Sequence, residues 1–255
     1  MSAPALRRRL DRLTWRELEE LTAGGCRTMV VPLGATEQHG DHLPLATDTL
    51  IADALAERFC RRVPEAIRMR AIALGVSREH LDFPGTLSLE RTTLGALLAD
   101  VIGSVARHGF ESAFVFSAHG GNCSALAATL PVLRAATPAL EVIAFADLEY
   151  LTARLHAASQ GFAIDGGSAG HHAGEIETSI LRALRPDLVR THVLAPGALI
   201  DGPDAQSFFY PNLRARVPSG TVGDPTRSDP VRGEAYLAAW VDLLVAHYRR
   251  EKKRK

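Results

Sequence analysis

The chain has 255 residues, 46% of them apolar and 23% charged, and its 29 basic and 29 acidic side chains cancel to a formal net charge of zero. That balance excludes a disordered or fibrous chain and leaves no field strong enough to gather nucleic acid or an anionic membrane. Three scattered cysteines (Cys26, Cys60, Cys123) make neither a disulfide framework nor a zinc knuckle, and no apolar run reaches the roughly 20 residues of a bilayer span or a signal peptide's pattern. A single cytoplasmic domain over residues 1–255 is expected, with the basic ends, Arg7-Arg8-Arg9 and 249–255, as solvated tails.

Two hydrophobic periods alternate along the chain. A helical stretch at 15–21 precedes an apolar run at 28–33; then come a helix at 49–59, a strand at 70–74, a helix at 92–107 and a strand at 113–116. A helix at 125–135 and a strand at 141–145 follow, and helices at 175–184 and 234–248 end the series. This order specifies a parallel sheet covered by helices on both faces. Segments 159–170 and 203–230 are rich in small residues, Pro, Gly or Asp and lack periodicity, so both are expected to be long loops that shape a site or an interface.

Three polar clusters carry the candidate chemistry. Gly34-Ala35-Thr36-Glu37-Gln38-His39-Gly40-Asp41-His42, running on to Thr47-Asp48, follows the first strand, where open α/β sheets bind ligands. Glu37 and His39, two apart on extended backbone, point to one face as half of a metal site. Asp48 stands either as a ligand or as the cap of the next helix, and His42 as a ligand, a substrate contact or a plain loop histidine. Ser117-Ala118-His119-Gly120-Gly121-Asn122 repeats the arrangement after the strand at 113–116, unless it is only a tight turn capped by Asn122. In the third cluster, Gly170-His171-His172-Ala173-Gly174-Glu175-Ile176-Glu177, helical spacing puts Glu177 on a stripe with Ile180, Leu181 and Leu184 and leaves Glu175 on the solvated face. A carboxylate on such a stripe needs a cation or a buried arginine.

The strings Leu33-Gly34-Ala35-Thr36-Glu37-Gln38-His39-Gly40, His119-Gly120-Gly121-Asn122 and His172-Ala173-Gly174-Glu175 with Glu177-Thr178-Ser179, in that order, resemble the creatininase (creatinine amidohydrolase) family. Glu79-His80 with Phe83-Pro84-Gly85-Thr86, and Gly223-Asp224-Pro225, extend the resemblance. It implies a three-layer α/β/α sandwich with a mostly parallel central sheet, a homo-oligomer of hexamer type, and two divalent metal ions per subunit. The mixed oxygen and nitrogen donors suit Zn, Mn or Fe. By the resemblance, Glu37 and His119 hold one ion, His39 the other, and Asp48 bridges them, while His172 handles protons at the leaving nitrogen. Creatininase itself has a glutamate two positions after the histidine of the second block, where this chain has Gly121. Glu177 is the candidate for that missing fifth ligand and for a catalytic carboxylate.

The activity implied is metal-dependent hydrolysis of a C–N bond in a small-molecule amide, a lactam or a formamide. Processing of a modified peptide, as in mycofactocin maturation, is the alternative within the family, and a non-catalytic metal-binding assembly module is the alternative outside it. No basic cluster accompanies the motifs to hold a phosphoryl group.

Overall fold

A computed structural model of the chain describes residues 8–202 and 207–253. Four parallel strands, β1 (Thr28–Leu33), β2 (Ala66–Arg68), β3 (Ser112–Ser117) and β4 (Glu141–Phe145), form one sheet in the order β2-β1-β3-β4. The side chains of β1 alternate between two cores, as strand geometry requires. Val30 faces a core shared with Phe114, Phe116 and Ile143, whereas Met29, Val31 and Leu33 face one shared with Ala113, Val115 and Val142.

Helices α2 (Thr47–Arg62), α5 (Leu148–Gln160), α7 (Glu175–Leu184) and α9 (Pro230–Lys252) cover the first face. Helices α1 (Trp15–Ala23), α3 (Arg91–Val105) and α4 (Gly121–Ala136) cover the second. The expected three-layer α/β/α sandwich is therefore the fold. No helix among the described residues is long and apolar enough to cross a membrane.

Several local expectations need correction. The second strand lies at Ala66–Arg68, before the expected segment 70–74, because Asp53 takes the Ala71 backbone N–H at 2.9 Å and interrupts the ladder. Beyond that point Ile72 touches β1 only through an isolated bridge to Leu33. The stretch expected as a loop at 159–170 holds the end of α5, an unforeseen helix, and the short α6 (Gly166–Ala169). A second short helix, α8 (Leu213–Arg216), interrupts the other loop, of which residues 203–206 lie outside the described residues. Of the basic ends, Arg7 and 254–255 also lie outside them. Arg8 is no solvated tail, since its guanidinium donates to the Cys60 carbonyl at 2.7 Å.

From β1 the chain goes first to β2 on one side and then to β3 on the other, so a crevice opens between the carboxyl ends of β1 and β3. The first two polar clusters emerge into that crevice.

Candidate metal centre

Each wall of the crevice is fixed by backbone hydrogen bonds that polar side chains supply. Asn122, in the first turn of α4, donates to the Gly34 carbonyl at 3.0 Å and accepts from the Val76 N–H at 2.9 Å. It thus ties the loops after β1 and β3 to a third segment instead of capping its own helix, which starts from Gly120 with no side-chain cap. On α2, Asp48 is no cap either: the N-cap is Ala46, and Asp48 occupies the first turn with its carboxylate buried. Near the helix start a carboxylate also gains from the aligned backbone dipoles.

Six sequence-selected side chains come together here. Glu37, Asp48 and His119 place ligand-type atoms within 4.8 Å of one another, and so do His39, Asp48 and Glu177. Asp48 belongs to both trios and divides its oxygens between them. Its Oδ1 lies 3.3 Å from His39 Nε2 and its Oδ2 lies 3.2 Å from His119 Nδ1. Glu37 Oε1 stands 3.3 Å from His119 Nδ1, and Glu177 Oε2 stands 3.9 Å from His39 Nε2. His172 forms a further trio with Glu37 and His39, its ring 4.2 Å from that of His39.

Glu37 Oε2, His39 Nε2 and Asp48 Oδ2 are buried and have no hydrogen-bond partner. Buried polar atoms are nearly always paired, so a convergent set of unpaired acceptors and an imidazole nitrogen is the donor set of a cation site. The residues present therefore fit a pair of divalent ions, one per trio.

The electrostatics of the cation-free chain follow from burial and mutual charge. Burial works against the charged form of each group, but the imidazoles of His119, His80 and His172 outweigh it at Glu37 and hold that carboxyl well below the carboxylate range. Burial likewise opposes ionisation of Asp48, and His39 overrides it, keeping the carboxyl low. His39 is buried too, yet the Asp48 carboxylate, with Glu177 and Glu37 beyond, lifts it to about 10. His119 is raised well above its usual value against its burial by Glu37 and Asp48. For Glu177 burial wins, lifting the carboxyl to about 7. His172 is pushed well below the ordinary histidine value by burial, then by His39 and His80.

The third cluster divides differently from the helical-wheel expectation. Glu175, expected in solvent, is fully buried and is held by Arg232 Nε, Tyr236 Oη and Ser179 Oγ, each at 2.8 Å. The cause is α9, whose Gly233 packs so tightly on the Ser179 carbonyl that no side chain fits, covering the polar face of α7. The arginine partner weighed for Glu177 is the half-buried Arg232, and it serves Glu175 instead. Ile176, Ile180 and Leu181 fill the apolar stripe, while Glu177, its side chain 21% exposed, turns to the cavity with His39. Its Oε2 accepts from the Ala173 N–H at 2.6 Å, and Ala173 holds φ at 52°, a strained value for a residue with a Cβ.

His42 lies outside these trios: its Nε2 and Thr178 Oγ1 are 2.9 Å apart, which locks the first loop to α7. Two residues of the site had no role assigned from sequence. His80 stands 3.7 Å from Glu37 Oε1, and Gln38 Nε2 lies 2.8 Å from His80 Nδ1. The signals for them were the place of Gln38 within the first string and Glu79-His80 among the supporting ones. A Cβ on Gly121 would overlap the Val76 carbonyl oxygen and stand 2.5 Å from His119 Nε2, so the backbone here leaves no room for a side chain at that position.

A cavity of about 460 Å³ starts at Glu37, Asp48 and Glu177 and extends to an apolar end built by Leu148, Leu151, Leu155 and Trp240. Fold and site together define an α/β/α protein whose buried His, Glu and Asp cluster, able to hold metal, lies at the switch point of its sheet.

The family model for creatininase, described as creatinine amidohydrolase, matches residues 11–248, and the chain belongs to that family of metal-binding hydrolases. It is 34% identical to the mycofactocin precursor peptide peptidase of Mycobacterium ulcerans, over 88% of this chain and 85% of that one. It is 29% identical to the creatinine amidohydrolase of Pseudomonas putida, over 94% and 95% of the two chains. Among solved structures, a mutant creatininase of Zn-Zn type superposes with a TM-score of 0.78 at 26% identity, covering 96% of this chain and 98% of that one. A creatininase with Mn gives the same TM-score at 27% identity over 95% and 98%.

Proposed function

We propose that the chain hydrolyses an amide C–N bond with two divalent cations held by Glu37, His119, His39, Glu177 and a bridging Asp48. The observation that carries this reading is the set of buried, unpaired Glu37, His39 and Asp48 atoms converging around one carboxylate shared by two trios. Two bound cations of the zinc or manganese kind would lower the pKa of water towards neutrality and polarise the substrate carbonyl. Three carboxylates against two divalent charges leave a net of about +1, suited to an anionic nucleophile.

The side chains supply the rest. His172 is buried beside the centre with Nε2 2.8 Å from the Gln38 carbonyl oxygen, which only accepts; the Gln38 side-chain amide, 2.9 Å from the same nitrogen, has His80 Nδ1 and the Gly220 carbonyl to donate to, so Nε2 carries the proton and Nδ1 keeps its lone pair. Nδ1, 3.7 Å from Glu37 Oε1, is the atom that takes a proton from the nucleophile and returns it to the leaving nitrogen. Gln38, whose Oε1 accepts from the Gly40 N–H at 2.9 Å, fixes the turn that presents both Glu37 and His39.

The substrate reading is a small cyclic amide, a formamide or a related amide. Cleavage of a modified precursor peptide is the second reading, supported by the 34% identical peptidase and by a cavity that extends well past the centre. Amine release from lactams, formamides and short peptides, measured with zinc or manganese added, tests both. Turnover that disappears in Glu37→Gln, with the far-UV circular dichroism unchanged, is the expected result. Undiminished turnover in that variant, or none on any amide by a chain replete with metal, would refute the reading.

A further inference from the structure

We propose that His156, His171 and Asp201 form a third divalent-cation site on the wall of the same cavity, apart from the Asp48 centre. Their ligand-type atoms lie within 4.8 Å of one another, and none of the three belongs to the trios around Asp48. Two imidazoles and one carboxylate are the donor types that bind zinc with positions left open.

The independent sign is His171. Both its ring nitrogens are buried, and neither has a hydrogen-bond partner, although its backbone is fixed by donation to the Val222 carbonyl at 3.0 Å. A neutral imidazole always carries one N–H and one lone pair, so leaving both unpaired in a buried position is costly unless something else binds there. The neighbours are pre-set around it. His156, on α5, is anchored by its Nε2 to the Gly170 carbonyl at 3.1 Å and lies with its ring 5.0 Å from that of His171. Asp201 packs against α6, where Gly166 has no Cβ to obstruct the carboxylate. Closing these atoms onto one ion brings them to the roughly 3.3 Å spacing of tetrahedral ligands, a movement of about 1 Å.

The site shares its wall with the substrate cavity, which His156 and His171 both line. An ion there lies beside the bound substrate, where a carboxylate or carbonyl of the substrate would complete its coordination.

Zinc binding by the full chain at pH 7.5, followed by equilibrium dialysis, tests the proposal, with the visible absorption of cobalt(II) as a second readout of ligand type. The wild type is expected to bind one equivalent more than His171→Ala and His156→Ala, with a cobalt band that both variants lack. Asp201→Asn, at an exposed position, should weaken that equivalent by about tenfold and keeps the proposal testable if a histidine variant does not fold. The readout is the difference between chains, so it holds even if the Asp48 centre binds no ion. Equal stoichiometry and affinity in the wild type and the folded variants would overturn the site.

Discussion

Loading the Asp48 centre should expel protons, and the number follows from the charges around it. In the cation-free chain His39 titrates at about 10 and His119 well above its ordinary value, so both are protonated at pH 7. Each must surrender that proton before its lone pair can bind a cation. Glu177, lifted by burial to about 7, is half protonated at that pH and gives up a further half. Glu37 and Asp48 are already ionised and release none. The two imidazoles account for about two protons per chain, and Glu177 adds a fraction that shrinks as the pH rises and it ionises by itself. The sign is fixed: apparent affinity rises with pH and levels off only above the His39 value, with a slope of overall log K against pH near the proton count. Titration calorimetry with zinc or manganese in two buffers of different ionisation enthalpy gives the count directly. Heats that do not depend on the buffer, or fewer than about one proton released, would refute the electrostatic account of the site.

Other substitutions test separate parts of the structure. Glu175→Gln leaves Arg232 facing a neutral group in a buried network and should cost about 3 kcal/mol, read as a lower urea midpoint with the ion stoichiometry unchanged. Native stability in that variant would show that the network carries no net energy. Gly121→Glu restores the glutamate of creatininase but drives a Cβ into the Val76 carbonyl and the His119 ring; a loss of about 1–3 kcal/mol and weaker cation uptake are expected. A stable Gly121→Glu chain with normal uptake would show that the backbone yields there. His42 and His171 are both pushed to about 4, chiefly by burial, so their neutral forms stabilise the fold above the unfolded value near 6.5. That stability should drain away as pH falls from about 6.5 to about 4, and His42→Gln should flatten the fall in urea midpoint; an unchanged slope would contradict it.

The first two polar clusters were legible because each sits just past an apolar run, and β1 and β3 deliver them to one crevice. What failed was long-range. Glu175 and Glu177 differ by two positions on one helix, and only α9, some fifty residues on, decides that Glu175 is enclosed while Glu177 meets the cavity. Helix α5 had a local signature, Asp147 capping the Tyr150 N–H at 2.9 Å ahead of Leu148, Leu151 and Leu155, but the small residues that follow obscured it. Strand β2 is three residues long and ends in Arg68, too short for periodicity to register, whereas the more apolar 70–74 reads as the strand. His80 was unassigned because its partners, Glu37 and Gln38, lie some forty residues away.

The central claim is that one carboxylate, Asp48, joins two cations. Anomalous diffraction from crystals grown with zinc, recorded on both sides of the metal edge, measures this directly. The account predicts two peaks flanking the Asp48 carboxylate, one toward Glu37 and His119 and one toward His39 and Glu177. A single peak, or density at neither trio in crystals where zinc binds elsewhere, would contradict it.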